Sequence, residues 1–272
     1  MSQKLFKQAL ATAKEAAHKA GENMRKHLHS KKRITEEWQH DIKLELDVIN
    51  QKLIEKILLK AFPDIAVLGE EGTIGDLQSD YRWVVDPIDG TVNFAYGYPH
   101  AAVCIALQRR LPKSPRKAKE FPDLNFETVV GVIYDPFLDE MFTGIRGQKA
   151  RLNGRIIQTS DRKELNQSIV AVGFAKKKAT LDEILPAFNK LIYKIRKVRM
   201  MGSAALSMAY VAAGRIDAYR EVGIRLWDIA AGGLIIECAG GDFYNTPMDA
   251  DHTYRLIANN GHLRNKVKRI IG

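Results

Sequence analysis

Apolar residues recur at helical spacing from Phe6 through Ala9, Leu10, Ala13, Ala16, Ala17, Ala20 and Met24 to Leu28. This spacing predicts a long first helix whose alanine-rich face packs closely on a neighbour. A second periodic set, Val48, Ile49, Leu53, Ile54, Ile57, Leu58 and Phe62, predicts another helix that stops at Pro63. Short β-type runs follow at Ile65 to Leu68, Arg82 to Val85, Ala102 to Leu107, Thr128 to Tyr134 and Glu140 to Thr143, punctuated by Gly, Pro and Asp. After the turn dipeptide Asn153-Gly154 the pattern changes. A strand-like run from Ser168 to Phe174 leads to helical stretches at Leu181 to Ile195 and Ser203 to Ala213. A short strand (Ile216 to Tyr219), an apolar helix (Ile229 to Ala239), the strand RLIA and a basic amphipathic helix complete the chain. Two parts are therefore expected: residues 1–153, helices followed by a strand meander, and residues 154–272, alternating strands and helices. Arg109 to Asn125, with three prolines and many bases between two strands, is expected as an exposed loop.

Composition narrows the class of protein. With 46% hydrophobic and 27% charged residues, the chain can bury a sizeable core. No apolar run approaches the roughly 18–20 residues that span a bilayer, so no membrane is expected and the chain reads as cytoplasmic. Cys104 and Cys238 lie far apart in apolar stretches and read as small core residues, not as a disulfide or zinc pair. The 42 Lys and Arg exceed the 32 Asp and Glu, for a net charge of +10. The basic clusters (Arg25 to Arg33, Arg109 to Lys119, Lys176 to Lys178, Lys190 to Arg199, Arg264 to Arg269) are spread along the chain and lack interleaved aromatic residues. Solvated faces that attract anions are the favoured reading; a nucleic-acid partner is permitted.

Three acidic segments carry the candidate chemistry. In Trp83 to Phe94, WVVDPIDGTVNF, an apolar strand delivers Asp86, and Asp89-Gly90-Thr91 turns toward what reads as a helix start. Two carboxylates three residues apart across a stiff turn can converge on a hard cation such as Mg²⁺. The plainer alternative makes Asp89 the N-cap of its own helix. Gly69-Glu70-Glu71-Gly72 follows another strand, and Trp227-Asp228 opens the apolar helix. Glu70, Asp86, Asp89 and Asp228 together could hold two or more such ions. None of the seven histidines stands in a metal-binding pair, and only His100, close to the DPIDGT loop, is placed for a role.

These motifs resemble the inositol monophosphatase family of Mg²⁺-dependent, lithium-sensitive phosphatases. Gly69-Glu70-Glu71 with WVVDPIDGTVNF matches its first signature, and Trp227-Asp228-Ile229-Ala230-Ala231-Gly232 its second. GSAAL (Gly202 to Leu206), AAGRIDAY (Ala212 to Tyr219) and AGGDF (Ala239 to Phe243) also match its spacing. The resemblance implies an α+β fold, the layered αβαβα sandwich of the inositol monophosphatase and fructose-1,6-bisphosphatase type. It implies Glu70, Asp86, Asp89, Asp228 and the Ile88 carbonyl as metal ligands, with Glu70 also catalytic. Thr91 and Asp47 would orient an attacking water. Gly90, Thr91, Gly202, Ser203, Ala204, Glu221 and Asp228 would contact substrate. A haloacid-dehalogenase mechanism is disfavoured, because it needs two aspartates separated by a single residue.

Hydrolysis of inositol monophosphate by a homodimer is the implied activity. A fructose-1,6-bisphosphatase or broader sugar-phosphate phosphatase, or an RNA- or transcription-associated protein that keeps the fold, are the alternatives. The chain departs from the family pattern at Leu44, where threonine is usual, at Lys149, where glycine is usual, and in the long segment 109–125. Arg225, between Glu221 and Asp228, is expected to favour a second phosphate or a carboxylate on the substrate.

Overall fold

The computed structural model describes residues 3–38, 41–175 and 177–271. Of the residues singled out above, His40 and Lys176 lie outside them. Helix α1 (Gln3–His27) leads through a ribbon of β1 (Ile34–Trp38) and β2 (Asp41–Leu44) into α2 (Glu45–Ala61). Strands β3 (Ala66–Gly69), β4 (Gly72–Ile74) and β5 (Tyr81–Asp89) precede the short helix α3 (Thr91–Ala95). The meander continues through β6 (Ala102–Arg110), β7 (Phe126–Asp135), β8 (Glu140–Ile145), β9 (Arg151–Leu152) and β10 (Arg155–Ile156). The remainder alternates β11 (Ile169–Phe174), α4 (Lys178–Ile192), β12 (Lys197–Arg199), α5 (Ala204–Ala212), β13 (Ala218–Arg225) and α6 (Leu226–Cys238). It ends with β14 (Asp242–Pro247), β15 (Thr253–Asn259) and α7 (Arg264–Ile271).

An eight-stranded sheet is ordered β10-β9-β8-β7-β6-β5-β3-β4, and a five-stranded sheet β12-β11-β13-β15-β14. Asn153-Gly154 is the turn of the β9–β10 hairpin, so the large sheet closes at Ile156.

Side-chain alternation builds the layers. In β5, Trp83 and Val85 face the cluster formed with α1 and α2, while Val84 faces α5 and α6. In β6, Val103, Ile105 and Leu107 take the first face, and Cys104 and Ala106 the second. The alanines of α1 at positions 9, 13, 16, 17 and 20 are fully buried. Beyond α5 and α6, Tyr219, Ile224 and Leu256 of the small sheet close the central cluster. On that sheet's outer face, Val170 and Val222 pack with Ile184 of α4 and Val267 of α7. The order is thus helices, sheet, helices, sheet, helices, the αβαβα arrangement expected.

The middle layer explains why α5 and α6 are apolar on every side: both of their faces are covered by sheet. Contact there is close. A Cβ on Gly131 of β7 would come within 2.8 Å of the Ala231 carbonyl of α6. The small elements β1, β2, β4, β9, β10, β12 and β14 do not stand out in the sequence, since short strands lack a distinctive alternation. The segment 109–125 is a second difference. It forms two 3-10 turns (Arg116–Lys119 and Pro122–Asn125), and Ala118 and Asp123 are buried. It is therefore not a wholly exposed loop.

Gly131→Ala should destabilise the fold by about 1–3 kcal/mol through overpacking against α6. The check is a thermal melt, in which a fall of roughly 2–10 °C is expected; an unchanged Tm would show that sheet and helix separate there at no cost.

Candidate active site

The aspartate pair depends on a defect in the sheet. Residues i and i+3 of a regular strand point to opposite faces. Between β5 and β6 the register shifts: Asp86 pairs with Cys104 and Asp89 with Ala102, three steps against two. The extra residue restores parity, so both carboxylates emerge on the face toward α5 and α6. Pro87, with no N–H for a ladder bond, sits within this bulge. Ile88 turns to the opposite face and is buried in the α1/α2 cluster. Asp86 Oδ1 accepts the Ile88 N–H at 2.9 Å.

Asp89 does not cap its own helix. Its carboxylate accepts from Ser203 Oγ and from the N–H groups of Ala204 (3.2 Å) and Ala205 (3.0 Å), so it lies at the start of α5. Gly90 makes the turn that permits this. Its φ is +90°, and a Cβ there would lie 3.0 Å from the His100 carbonyl and 3.1 Å from that of Gly202. Asp228 stands in the first turn of α6, where its carboxylate accepts the Arg225 N–H at 3.0 Å. Asp86, Asp89 and Asp228 each present an oxygen within 4.8 Å of the others.

The carboxyl pKa values are raised throughout this group. Burial, then the charges of Glu70, Asp228 and Asp89, pushes Asp86 well above the usual carboxylate range. Burial raises Asp89 to about 6, against the opposing bonds from Ser203 and the α5 backbone. Burial and the charge of Asp89 raise Asp228 to about 7. Glu221 belongs to the same set, pushed well up by burial and by Asp228 and Asp89. It lies on β13 opposite Gly173 of β11, where a Cβ would be 2.3 Å from its Oε2. Cys104, across the ladder from Asp86, is raised by burial first and then by the carboxylates.

The other candidate residues surround this centre. Glu70 is exposed at the β3–β4 turn, donates its N–H to the Val85 carbonyl (3.2 Å), and is close enough for its charge to raise Asp86. Its neighbour Glu71 is instead paired with Lys43 at 2.7 Å. Gln51 of α2 accepts the Glu71 N–H (2.8 Å) and occupies the space beside Gly69. Asp47 is buried and accepts the Leu44 N–H at 2.7 Å. Thr91 Oγ1 donates to the Ile88 carbonyl at 2.8 Å. Leu44 packs into the α1/α2 cluster, so this position serves the core.

Gly202 and Ser203 stand over the same loop. Ser203 Oγ bonds Asp89 and also accepts the Leu206 N–H (3.2 Å), capping α5. Asn93, which was read only as part of the motif, donates to the carbonyls of His100 and Met201, each at 2.9 Å. It thereby fixes the position of Gly202, and that cross-link carries no signal in a single sequence.

Arg225 is anchored through Nη1, which donates to the Asp251 carbonyl and to Thr253 Oγ1 (2.8 Å). His100 contributes its carbonyl to Asn93 and its ring to an edge contact with Tyr210 (6.1 Å), while burial lowers its pKa. Lys149 lines a cleft of about 530 Å³ with Ala239 and Gly240, at the far end of α6 from Asp228.

The sequence profile described as "Inositol monophosphatase family" matches residues 6–269. The chain belongs to the inositol monophosphatase family. "Inositol monophosphatase 1" of Solanum lycopersicum is 36% identical over 264 residues, covering 94% of this chain and 91% of that protein. "Nus factor SuhB" of Escherichia coli (strain K12) is 35% identical over 254 residues, covering 92% and 89%. The solved inositol monophosphatase from Anabaena (Nostoc) sp. PCC 7120 superposes with a TM-score of 0.81 at 34% identity, covering 97% and 95% of the two chains. The family consists of metal-dependent phosphatases, and the chain is an enzyme of this class. Its buried carboxylates form an oxygen-rich donor set of the kind that hard cations require.

Because Asp228 is raised from an ordinary 3.8 to about 7, its contribution favours the metal-free fold at low pH. That contribution is lost as pH climbs from about 4 through 7. In chelator, the Tm of Asp228→Asn relative to the parent protein should therefore rise between pH 4.5 and 7.5. A difference that stays constant with pH would contradict this.

Proposed function

We propose that the chain is a Mg²⁺-dependent inositol monophosphatase acting in the cytoplasm as a homodimer. The observation that carries the reading is the convergence of Asp86, Asp89 and Asp228 within 4.8 Å, where the end of β5 meets the first turn of α6. These residues, with Glu70 and the Ile88 carbonyl, are the proposed holders of the ions. When bound, Mg²⁺ supplies charge neutralisation at the phosphate and makes a water more acidic.

The remaining chemistry falls to the chain. Thr91 donates its hydroxyl hydrogen bond to the Ile88 carbonyl, which leaves its oxygen lone pairs to accept from a water. With Asp47 as the second orienting group, that water is aimed in line with the ester bond. Its oxygen bonds to phosphorus as the phosphorus–oxygen ester bond breaks; the water loses a proton and the departing alkoxide takes one, releasing inositol and inorganic phosphate. Glu221, the cross-strand partner of Gly173, accepts from vicinal hydroxyls of the ring, and Gly90 and the Gly202 to Ala204 segment line it.

Initial rates on inositol 1-phosphate, fructose 1,6-bisphosphate and an adenosine bisphosphate, with and without Mg²⁺, test the proposal. Inositol 1-phosphate should be turned over fastest, and only with Mg²⁺. Preference for fructose 1,6-bisphosphate would favour the fructose-1,6-bisphosphatase or broader sugar-phosphate alternative, and preference for the adenosine bisphosphate would count against both inositol and sugar phosphates.

A second reading rests on the relatives called Nus factor SuhB, which match as well as the inositol monophosphatases do. It assigns the chain an association with transcription complexes, served by its net charge of +10. Salt-sensitive RNA binding by metal-free protein would support it.

Thr91→Ala should lower kcat roughly 10²-fold with KM much less changed, and Thr91→Ser should keep most activity. Steady-state kinetics on inositol 1-phosphate decide; equal losses in both variants would assign the methyl group a packing role.

A further inference from the structure

The segment 109–125 exceeds the usual turn of the family, yet its base is fastened. Leu111 N–H donates to the Asn125 carbonyl at 2.7 Å, and Phe126 lies beneath the guanidinium groups of Arg82 (4.0 Å) and Arg110 (4.8 Å). Its second 3-10 turn carries Asp123, which is 9% exposed.

Asp123 joins two parts of the molecule. Its Oδ1 takes a hydrogen bond from Arg82 Nη2 (2.8 Å), and Arg82, held also by Gln108 (2.9 Å), lies four residues before Asp86 on β5. Its Oδ2 takes one from Tyr254 of β15 (2.9 Å) and lies 2.6 Å from Nδ1 of His252, on the turn that precedes that strand. Burial alone would raise the pKa of Asp123; His252 and Arg82 outweigh it and hold the group below the usual range.

The turn is left-handed at His252, whose φ is +60°. The same turn grips the start of α6. The Leu226 N–H donates to the His252 carbonyl (2.9 Å), Arg225 Nη1 bonds the Asp251 carbonyl and Thr253, and the Trp227 and His252 rings lie 6.1 Å apart. The Arg225 N–H in turn bonds the Asp228 carboxylate.

We propose that Asp123 is a positioning residue: through His252 and the 251–253 turn it fixes the first turn of α6, and thereby sets the orientation of Asp228 for the cation. The inference rests on the reading of Asp228 as a metal ligand. It gives segment 109–125 a role in this chain beyond that of a surface loop, acting through bonds to residues outside the carboxylate cluster.

Mn²⁺ binding to the full chain, counted by electron paramagnetic resonance, is the primary readout, with the half-saturating Mg²⁺ for hydrolysis as the second. His252→Gly keeps the left-handed turn and removes the ring. It should weaken Mn²⁺ roughly 10-fold, the scale of losing a group that orients a metal ligand. It should raise half-saturating Mg²⁺ in step and move the KM for inositol 1-phosphate less than about 2-fold, because no uniform substrate binding is removed. His252→Asn tolerates the same backbone and returns an N–H near the place of Nδ1, so it should recover most of the loss. Asp123→Asn should act in the direction of His252→Gly; if it fails to fold because Arg82 is left unpaired, the two His252 variants decide. A His252→Gly protein that melts earlier but binds Mn²⁺ like the parent overturns the proposal, as does equal weakening in the Gly and Asn variants. Failure of the parent protein itself to bind Mn²⁺ would overturn the cation reading, and this one with it.

Discussion

Mutual repulsion among buried carboxylates is the constraint around which the rest is arranged. Bringing Asp86, Asp89 and Asp228 within 4.8 Å, with Glu221 behind them, is unfavourable in a low-dielectric interior, and the raised pKa values are its direct expression. The chain offsets part of that cost with dipoles. Asp89 rests on the first N–H groups of α5 and on Ser203, and Asp228 takes an N–H from Arg225 at the start of α6. Glu70 reaches the cluster from a solvent-exposed turn, where water screens its charge at little expense. What the dipoles leave unbalanced is a standing preference for a cation.

That requirement accounts for the layer between the two sheets. Helices α5 and α6 must bring their N-terminal ends to the end of β5 while their bodies are covered on both sides. Their apolar sequences, the glycine at 131 and the small residues where α6 crosses β7 all serve this approach. A mobile loop could carry the same side chains but could not hold three like charges together, because nothing would oppose their separation.

Much of this was legible in the sequence. The acids were found because each sits at the end of an apolar run, and the motif spacing identified the family and its five-layer fold. Long periodic helices and buried strands were also visible, since their patterns persist over many residues. What escaped were features that exist only between distant segments. The plainer alternative had Asp89 cap the helix that follows it, yet its carboxylate accepts N–H groups at the start of α5, more than a hundred residues later. The anchor of Arg225 was hidden because Asp251 and Thr253 are remote in the chain. Glycine at 173 has no local reason at all; its reason is the carboxylate of Glu221 on the neighbouring strand. The proline-rich segment 109–125 read as solvent-exposed because composition cannot reveal that its one aspartate meets a buried arginine.

The shifted register between β5 and β6 makes the distance between the two aspartates a matter of odd and even counting. With one residue fewer between Asp86 and Asp89, the ladder would pair regularly at an even spacing and need no irregularity; with the two that are present, the strand must slip by one to keep both carboxylates on one side. Removing the slip without changing the length would turn Asp89 toward the cluster occupied by Trp83, Val85 and the α1 alanines, and would bring the side chain of Ile88 round in its place. A single step along the backbone thus separates a charged pocket from an apolar one, so inserting or deleting one residue between Asp86 and Asp89 would exchange the two.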